Sequence, residues 1–240
     1  MKNFYTLALV LLCTFVGKAQ IINIPDAAFK AKLLAASPAN QIASTETPVY
    51  MTEDETYVWS VNSYTKIDTN NDGEIQVSEA LAIKYLDVSG SYSLNGNGTI
   101  ANIIGVELFV NLMFLNCNFN IITTLNVSGL NNLQCLYCAN NQLPNLNVID
   151  LNNLQTLWCY NNLLPSLNVS GLTNLKELIC AENQLPSLNV SSLTNLEILD
   201  CSINQLPSLN LSGLTNLKFL FCNNNQLPSL NVSGLNILRK

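Results

Sequence analysis

The sequence predicts a solenoid, a stack of short coils that share one continuous core. The phrase Leu-Asn-Val-Ser-Gly-Leu starts at Leu125 and returns, with small changes, every 21 residues as far as Leu230. A fixed period of this length is typical of coils that cannot bury their own apolar face and therefore stack on their neighbours. Each unit also repeats one cysteine and one turn asparagine. Together these observations favour a surface that binds over a pocket that reacts.

Each unit has the same order of apolar and polar positions. The unit that begins at Leu175 reads L-x-x-L-x-C-x-x-N-x-L-x-x-L-N-V-S-x-L-x-N. Over about residues 110–240 this pattern resembles the leucine-rich repeat superfamily, in its short bacterial class with a cysteine in the strand. The resemblance implies a curved solenoid with one short parallel strand per coil on the concave side. A proline after each asparagine turn cannot continue a helix, so the convex face is predicted to be largely non-helical.

Two columns of repeated residues have structural explanations. One asparagine per coil is expected to bond main-chain groups of adjacent coils that the turn would otherwise leave unpaired. This column comprises Asn120, Asn141, Asn162, Asn183, Asn204 and Asn225. The cysteine column comprises Cys117, Cys138, Cys159, Cys180, Cys201 and Cys222. Parallel strands lie about 4.8 Å apart, whereas a disulfide requires Cβ atoms about 3.8 Å apart. The column is therefore predicted to consist of buried free thiols and not of disulfides. Cys135 lies outside the column and is predicted to be the exposed, most reactive thiol.

The N-terminal part divides into three further segments. Residues 1–19 have the pattern of a secretory signal peptide, with a charged start, a short apolar stretch and a cleavage point before Gln20. They predict a secreted or cell-surface protein with no membrane span. Residues 20–90 are predicted to form a small α-helical cap, in which residues 39–66 look polar and irregular. Residues 91–111 are expected to form a degenerate first coil, before repeats at 112–240 whose last unit is truncated.

One loop in this cap has a pattern that indicates metal binding. Residues 68–79 match D-x-[DN]-x-[DN]-G-x₅-E at every constrained position and resemble the EF-hand calcium loop. The resemblance implies oxygen ligands from Asp68, Asn70, Asp72, Glu74, Gln76 and Glu79. An exit helix is expected from Ser78 to Leu86, although Tyr64–Ile67 is a poor helix before the loop. We therefore predict a structural Ca²⁺ site that fixes the cap, with a metal-free polar turn as the alternative.

The variable positions of the strands indicate where a partner binds. Side chains that flank the inward leucine and cysteine are expected to project from the concave face. Five aromatic residues are predicted there as partner-binding residues: Tyr137, Trp158, Tyr160, Phe219 and Phe221. Aromatic side chains are frequent anchors of protein interfaces, and they also stack on sugar rings. The alternative is that they only favour strand formation.

Composition narrows the function further. The chain has no histidine, which excludes Ser-His-Asp relays and histidine-ligated metals, and its net charge is −6. The acidic balance disfavours nucleic acid and anionic membranes as partners. We predict an exported, non-catalytic leucine-rich repeat protein that mediates protein or glycan binding in adhesion or recognition. The alternatives are the recognition module of a longer enzyme and a structural surface-layer protein. Self-association through the uncapped last coil is a further expectation.

Overall fold

A computed structural model describes residues 20–53, 56–91 and 98–239, so the predicted signal peptide lies outside the described residues. These residues form a solenoid built on one eight-stranded sheet, beside a separate two-stranded sheet. In the large sheet the first strand pairs antiparallel with its neighbour, and the other seven strands run parallel to one another. The fold class predicted from the repeats is confirmed.

The N-terminal region packs on the first coil. Its elements are α1 (Ala27–Leu34), β1 (Ala43–Ser44), β2 (Val49–Glu53), β3 (Thr56–Ser60), α2 (Val77–Ala80) and β4 (Tyr85–Asp87). Asp26 caps α1 by accepting a hydrogen bond from the main-chain N–H of Phe29 at 2.9 Å. Its second oxygen accepts from the N–H groups of Ala101 and Asn102. Burial acts to raise the pKa of Asp26, but these donors lower it below its ordinary value.

The repeat array contributes one three-residue strand per coil. These strands are β5 (Phe114–Asn116), β6 (Cys135–Tyr137), β7 (Thr156–Trp158), β8 (Glu177–Ile179), β9 (Ile198–Asp200) and β10 (Phe219–Phe221). Each pairs with the next in exact 21-residue register. From residue 98 to residue 239 the helical content is one 3₁₀ turn, Val106–Leu108. The largely non-helical convex face is therefore confirmed.

The middle leucine of each strand and the following cysteine point into the core. Cys117, Cys159 and Cys201 are fully buried as free thiols, and burial raises the pKa of each to about 12. Cys222 is only partly buried, since β10 is the edge strand of the described sheet. The predicted column of inward-facing free thiols is confirmed, with the exception that Cys222 retains solvent contact.

We expect the buried thiols of the cysteine column, from Cys117 to Cys201, to resist maleimide labelling until the chain unfolds. Burial and their raised pKa values leave almost no accessible thiolate. Cys222 is expected to react first. Labelling in native and in denaturing buffer, followed by peptide mass spectrometry, measures the protection of the buried thiols and the reactivity of Cys222. Cysteines of the column that are already oxidised in the native protein would contradict the prediction of free, buried thiols.

The repeated asparagines connect neighbouring coils, as predicted. Asn141 Nδ2 donates to the carbonyl oxygen of Cys117 in the preceding coil at 3.0 Å. Its Oδ1 accepts from the main-chain N–H of Ile122, also at 3.0 Å. The residue before each of these asparagines has a φ between 51° and 56°, a left-handed conformation that non-glycine residues adopt at a cost. The asparagine bonds hold this tight turn, and the same pattern repeats at every later coil.

Two expectations for the N-terminal region are wrong. Residues 39–66 are not irregular, because they contain β1 and the β2–β3 hairpin. The helix expected from Ser78 to Leu86 is also shorter, since α2 ends at Ala80. The chain then turns so that Tyr85–Asp87 can join the sheet as β4, within the range predicted as the cap.

Candidate functional site

The first and third residues of each strand point away from the core onto the concave face. The first positions form one column in register: Phe114, Cys135, Thr156, Glu177, Ile198 and Phe219. The third positions form a second column: Asn116, Tyr137, Trp158, Ile179, Asp200 and Phe221. The predicted concave columns are thus arranged side by side on a rigid sheet.

The β2–β3 hairpin covers the N-terminal half of this face. Trp59 is 6% exposed, and its indole Nε1 donates to Thr156 Oγ1 on β7 at 3.3 Å. Its ring lies 4.9 Å from that of Tyr50 on the neighbouring strand. Tyr64, just after the hairpin, packs edge-on against Tyr85 with ring centroids 5.9 Å apart. An aromatic cluster from the cap therefore lies where a partner would contact β4 to β7.

This cover corrects two expectations of exposure. Tyr137 is 8% exposed and Cys135 is fully buried, and both belong to a cluster with Trp59. Burial raises the pKa of the Cys135 thiol well above its ordinary value. Cys135 is therefore not the exposed, reactive thiol that its position outside the cysteine column suggested. The missing information was the hairpin, which packs on β6 and β7.

The C-terminal half of the concave face is open. Trp158, Tyr160 and Phe219 are partly exposed, and Phe221 is 50% exposed. Trp158 stacks on Tyr137 with ring centroids 4.1 Å apart, so its ring is held in place from the covered side. Four of the five predicted partner-binding residues thus have access to solvent.

Glu177 is a residue of this face that sequence reasoning did not single out. It is 5% exposed, and its Oε2 has no hydrogen-bond partner. Burial raises the pKa of Glu177 to about 7, an effect that the indole of Trp158 partly opposes. Nothing in the repeat pattern marks this position, since other coils have Thr156 or Ile198 there. Its carboxyl group lies beside the indole of Trp158, and its strand pairs with the strand whose Thr156 the hairpin contacts.

A polar groove of about 600 Å³ runs along the edge where the chain enters the strands. Its walls are two columns with the 21-residue spacing: Gln134, Gln155, Lys176 and Glu197, and Asn153, Asn174, Asn195 and Asn216. Each of these asparagines donates to a main-chain carbonyl of the preceding coil, which fixes its orientation. The groove is thus lined mainly by oriented amide groups, with Lys176 and Glu197 in one wall, beside the open half of the sheet.

The loop at residues 68–79 has local features of a cation loop. Gly73 has a φ of +79°, the left-handed conformation that a sharp turn at this position needs. Ile75 is fully buried, and its carbonyl oxygen accepts from the N–H of Ile22 at 2.8 Å. Gln76 forms an antiparallel bridge with Ile21. The N-terminal segment thus occupies the side on which a second loop would pair.

The donor set of this loop fits a hard cation in its chemistry. The six predicted positions supply carboxylate, amide and main-chain oxygens, the ligands that Ca²⁺ prefers. Asp72 Oδ2 accepts from the side chains of Asn70 and Gln76, and Glu79 Oε1 accepts from Thr69. Within the described part of the chain, no three acidic or cysteine side chains converge as a metal cluster. Hydrogen bonds satisfy these oxygens, with Lys30 paired to Glu74 at 2.6 Å.

Several solved structures have the architecture described above. The functional domain of InlJ from Listeria monocytogenes, which includes a cysteine ladder, matches with a TM-score of 0.62 and 26% identity over 92% of this chain. A leucine-rich repeat protein of Leptospira interrogans matches with 0.60 and 26% over 68%. The chain folds as a leucine-rich repeat solenoid. The Listeria monocytogenes internalin InlF gives 0.61 at 21% identity over 94% of this chain.

This leucine-rich repeat solenoid spans only part of those proteins. It covers 46% of the InlJ chain, 44% of the Leptospira interrogans chain and 65% of the InlF chain. No family model and no curated protein matches its sequence. Among residues 20–53, 56–91 and 98–239, no helix has the length and apolar character needed to cross a membrane.

Proposed function

We propose that this leucine-rich repeat solenoid is an exported, non-catalytic recognition module that binds a protein partner outside the cell. The observation that carries the proposal is the open aromatic surface formed by Trp158, Phe219 and Phe221 on β7 to β10. Ile179 and Ile198 extend it with partly exposed apolar side chains. Such a patch on a rigid sheet is typical of protein interfaces, whose binding energy is concentrated in a few aromatic anchors.

The proposal predicts that partner binding depends on the concave aromatics. An array of extracellular protein domains is probed with the chain, and the dissociation constant of each hit is measured by biolayer interferometry. The double variant Trp158→Ala/Phe221→Ala is expected to bind at least about tenfold more weakly, as for typical hot spots. Leu163→Ala, which removes a 49%-exposed apolar side chain outside the strands, serves as the control. Equal binding by all three proteins would contradict the proposal.

A neutral glycan is the second candidate ligand, favoured by the amide-lined groove. Asparagine and glutamine side chains donate and accept hydrogen bonds, as sugar hydroxyl groups require. If glycan binding is lost in Gln155→Ala but retained in Trp158→Ala/Phe221→Ala, the glycan binds in the groove and not on the aromatic surface. The reverse pattern would assign a sugar that stacks on the aromatics.

We also propose that the loop at residues 68–79 binds Ca²⁺ and so stabilises the cap. Support comes from its oxygen donors, from the turn at Gly73 and from its pairing with Ile21 and Ile22. Asp68, Asn70, Asp72, Gln76 and Glu79 would supply side-chain oxygens, and Glu74 its main-chain carbonyl. An unpaired extracellular loop binds with a dissociation constant on the order of 10⁻⁴ to 10⁻³ M, which suits a structural role.

Saturating Ca²⁺ is expected to raise the melting temperature of the wild type by about 2 to 4 °C relative to EDTA, because it binds only the folded loop. Glu79→Gln should abolish this rise, since it removes the predicted bidentate ligand. Glu182→Gln, an exposed carboxyl group outside the loop, is the matched control and should retain the rise. The same calcium response in all three proteins would refute the site.

A further inference from the structure

The polar groove beside the open half of the sheet repeats with the coils. Four asparagines line one wall, each at the same position of its coil: Asn153, Asn174, Asn195 and Asn216. The side-chain Nδ2 of each donates to a main-chain carbonyl oxygen of the preceding coil, at 2.8 or 2.9 Å. All four side chains are exposed to solvent. The wall is therefore a row of identical amide groups that are held in the same way.

These amides keep part of their hydrogen-bonding capacity for a ligand. An asparagine side chain has two N–H donors and one carbonyl oxygen that accepts. In each of the four side chains, the bond to the preceding coil uses one donor. The second N–H group and Oδ1 remain for solvent or a ligand. A hydroxyl group both donates and accepts, so a polyhydroxylated ligand can satisfy both.

The groove has charged side chains but no net charge. Among the described residues that line it, the charged ones are Lys176 and Glu197, whose charges cancel. Each also has a partner within the chain. Lys176 Nζ lies 5.2 Å from the ring centroid of Tyr50, and Glu197 Oε2 accepts from Lys218 at 2.6 Å. The groove is therefore complementary to a ligand that is polar and uncharged.

The spacing of the wall discriminates between polymers. The strands pair in exact 21-residue register, so equivalent side chains of neighbouring coils lie about 4.8 Å apart. An extended peptide advances about 3.3 Å per residue, so the groups on one of its faces recur about every 6.6 Å and fall out of step with the coils. In a β-1,4-linked chain of hexoses, each ring advances the chain by close to one strand spacing. Successive rings are turned over, but both ring edges carry hydroxyl groups, so every amide meets one.

We propose that this groove binds a linear, uncharged β-1,4-linked hexose chain that runs along the stack, with one ring at each of four coils. The proposal rests on the glycan candidate of the proposed function and adds the linkage, the charge and the length of that ligand. The four asparagines span three strand spacings, about 14 Å. Each ring that reaches a further coil gains the hydrogen bonds of one more amide, and a ring beyond the fourth gains none.

The probes are glucose oligomers of two to six units with β-1,4 linkages, and oligomers of the same lengths with α-1,4 linkages, whose chains curve. The dissociation constant of each is measured by chemical-shift perturbation of the protein. We expect the affinity for the β-linked series to rise about threefold or more with each ring up to the fourth, the scale of one net hydrogen bond, and then to level off. The α-linked series should show no such rise.

The double variant Asn174→Ala/Asn195→Ala removes the two central amides and should abolish the dependence on length. Asn168→Ala/Asn189→Ala is the matched control, because these asparagines precede the first pair by six residues, are exposed and do not line the groove. It should bind the β-linked series as the wild type does. Urea-induced unfolding of both double variants verifies that each is folded in the titration.

An affinity that does not depend on length, or equal binding of the two linkages, would overturn the inference. Equal binding of an uncharged Ser-Gly peptide of matched length would do the same, because its repeat does not match the coils. If the β-linked oligomers lose affinity in Trp158→Ala/Phe221→Ala but not in Asn174→Ala/Asn195→Ala, the sugar lies on the aromatic surface, so the groove site fails while glycan binding stands. If no oligomer shifts a groove residue, the inference and the glycan candidate fail together, and the protein-binding proposal keeps its own test.

Discussion

Replacing Asn183 by alanine is expected to lower the free energy of unfolding by about 2 to 4 kcal/mol. Asn183 Oδ1 accepts from the main-chain N–H of Leu164 at 3.0 Å, and Leu164 is fully buried. Alanine leaves this N–H group without its partner and out of reach of water. It also removes the amide donor that reaches the carbonyl oxygen of Cys159 in the preceding coil at 3.0 Å. Urea-induced unfolding followed by circular dichroism measures the loss.

Asn195→Ala is the matched control for this experiment. Asn195 belongs to the same coil, but it is exposed and donates one hydrogen bond, to the carbonyl oxygen of Thr173 at 2.8 Å. Water replaces such a bond, so its loss should cost less than about 1 kcal/mol. Similar losses for the two variants would show that the buried asparagine column does not hold the coils together.

The second large effect is a dependence of stability on pH that comes from Glu177. Its pKa is raised from 4.5 to about 7 in the folded protein, so the folded state binds more protons than the unfolded state between these values. The stability that protonated Glu177 allows is therefore fully present below about pH 4.5, is lost progressively as the pH rises through about 7, and is absent above that. The complete loss is on the order of 3 kcal/mol.

The free energy of unfolding of the wild type should fall by about 2 kcal/mol between about pH 5.5 and about pH 8. Glu177→Gln should remove this fall, because glutamine has the shape of the protonated acid and does not titrate. Asp26, Glu46 and Asp72 have lowered pKa values, so their contributions change only at lower pH. Glu182→Gln should keep the wild-type slope. A flat wild-type profile would mean that Glu177 is not desolvated in solution.

Much of the fold could be predicted from the repeats because their contacts join residues about one repeat apart and recur in every coil. Asn141 bonds Cys117, 24 residues earlier, and every coil repeats the same pair. A pattern seen six times in the sequence therefore specifies the core, the turn and the direction of each strand side chain. The open aromatics Trp158 and Phe221 followed from the same register.

The covered half of the site could not be predicted for the opposite reason. Trp59 contacts Thr156 across 97 residues, and this contact occurs once. Without it, Cys135 and Tyr137 look like exposed strand residues and Glu177 looks like an ordinary surface acid. The calcium loop is an intermediate case. Its candidate oxygen ligands could be identified from the spacing of residues in the motif. The pairing of Ile75 with Ile22 could not, because it depends on a segment outside the motif.

The central claim is that the chain's own hairpin lies on the concave face and leaves only the C-terminal half for a partner. Cys135 is a natural reporter of this claim, since it faces away from the core and is buried in a cluster with Trp59. The measurement is the maleimide labelling rate of Cys135 in the folded protein, compared with the core thiol Cys138 and resolved by peptide mass spectrometry.

Cys135 is expected to be as strongly protected as Cys138 in the wild type. In Trp59→Ala, Cys135 should become labelled while Cys138 remains protected, because only the cover has been weakened. Rapid labelling of Cys135 in the folded wild type, with Cys138 still protected, would contradict the account. It would mean that the hairpin does not rest on the sheet and that the whole concave face is open.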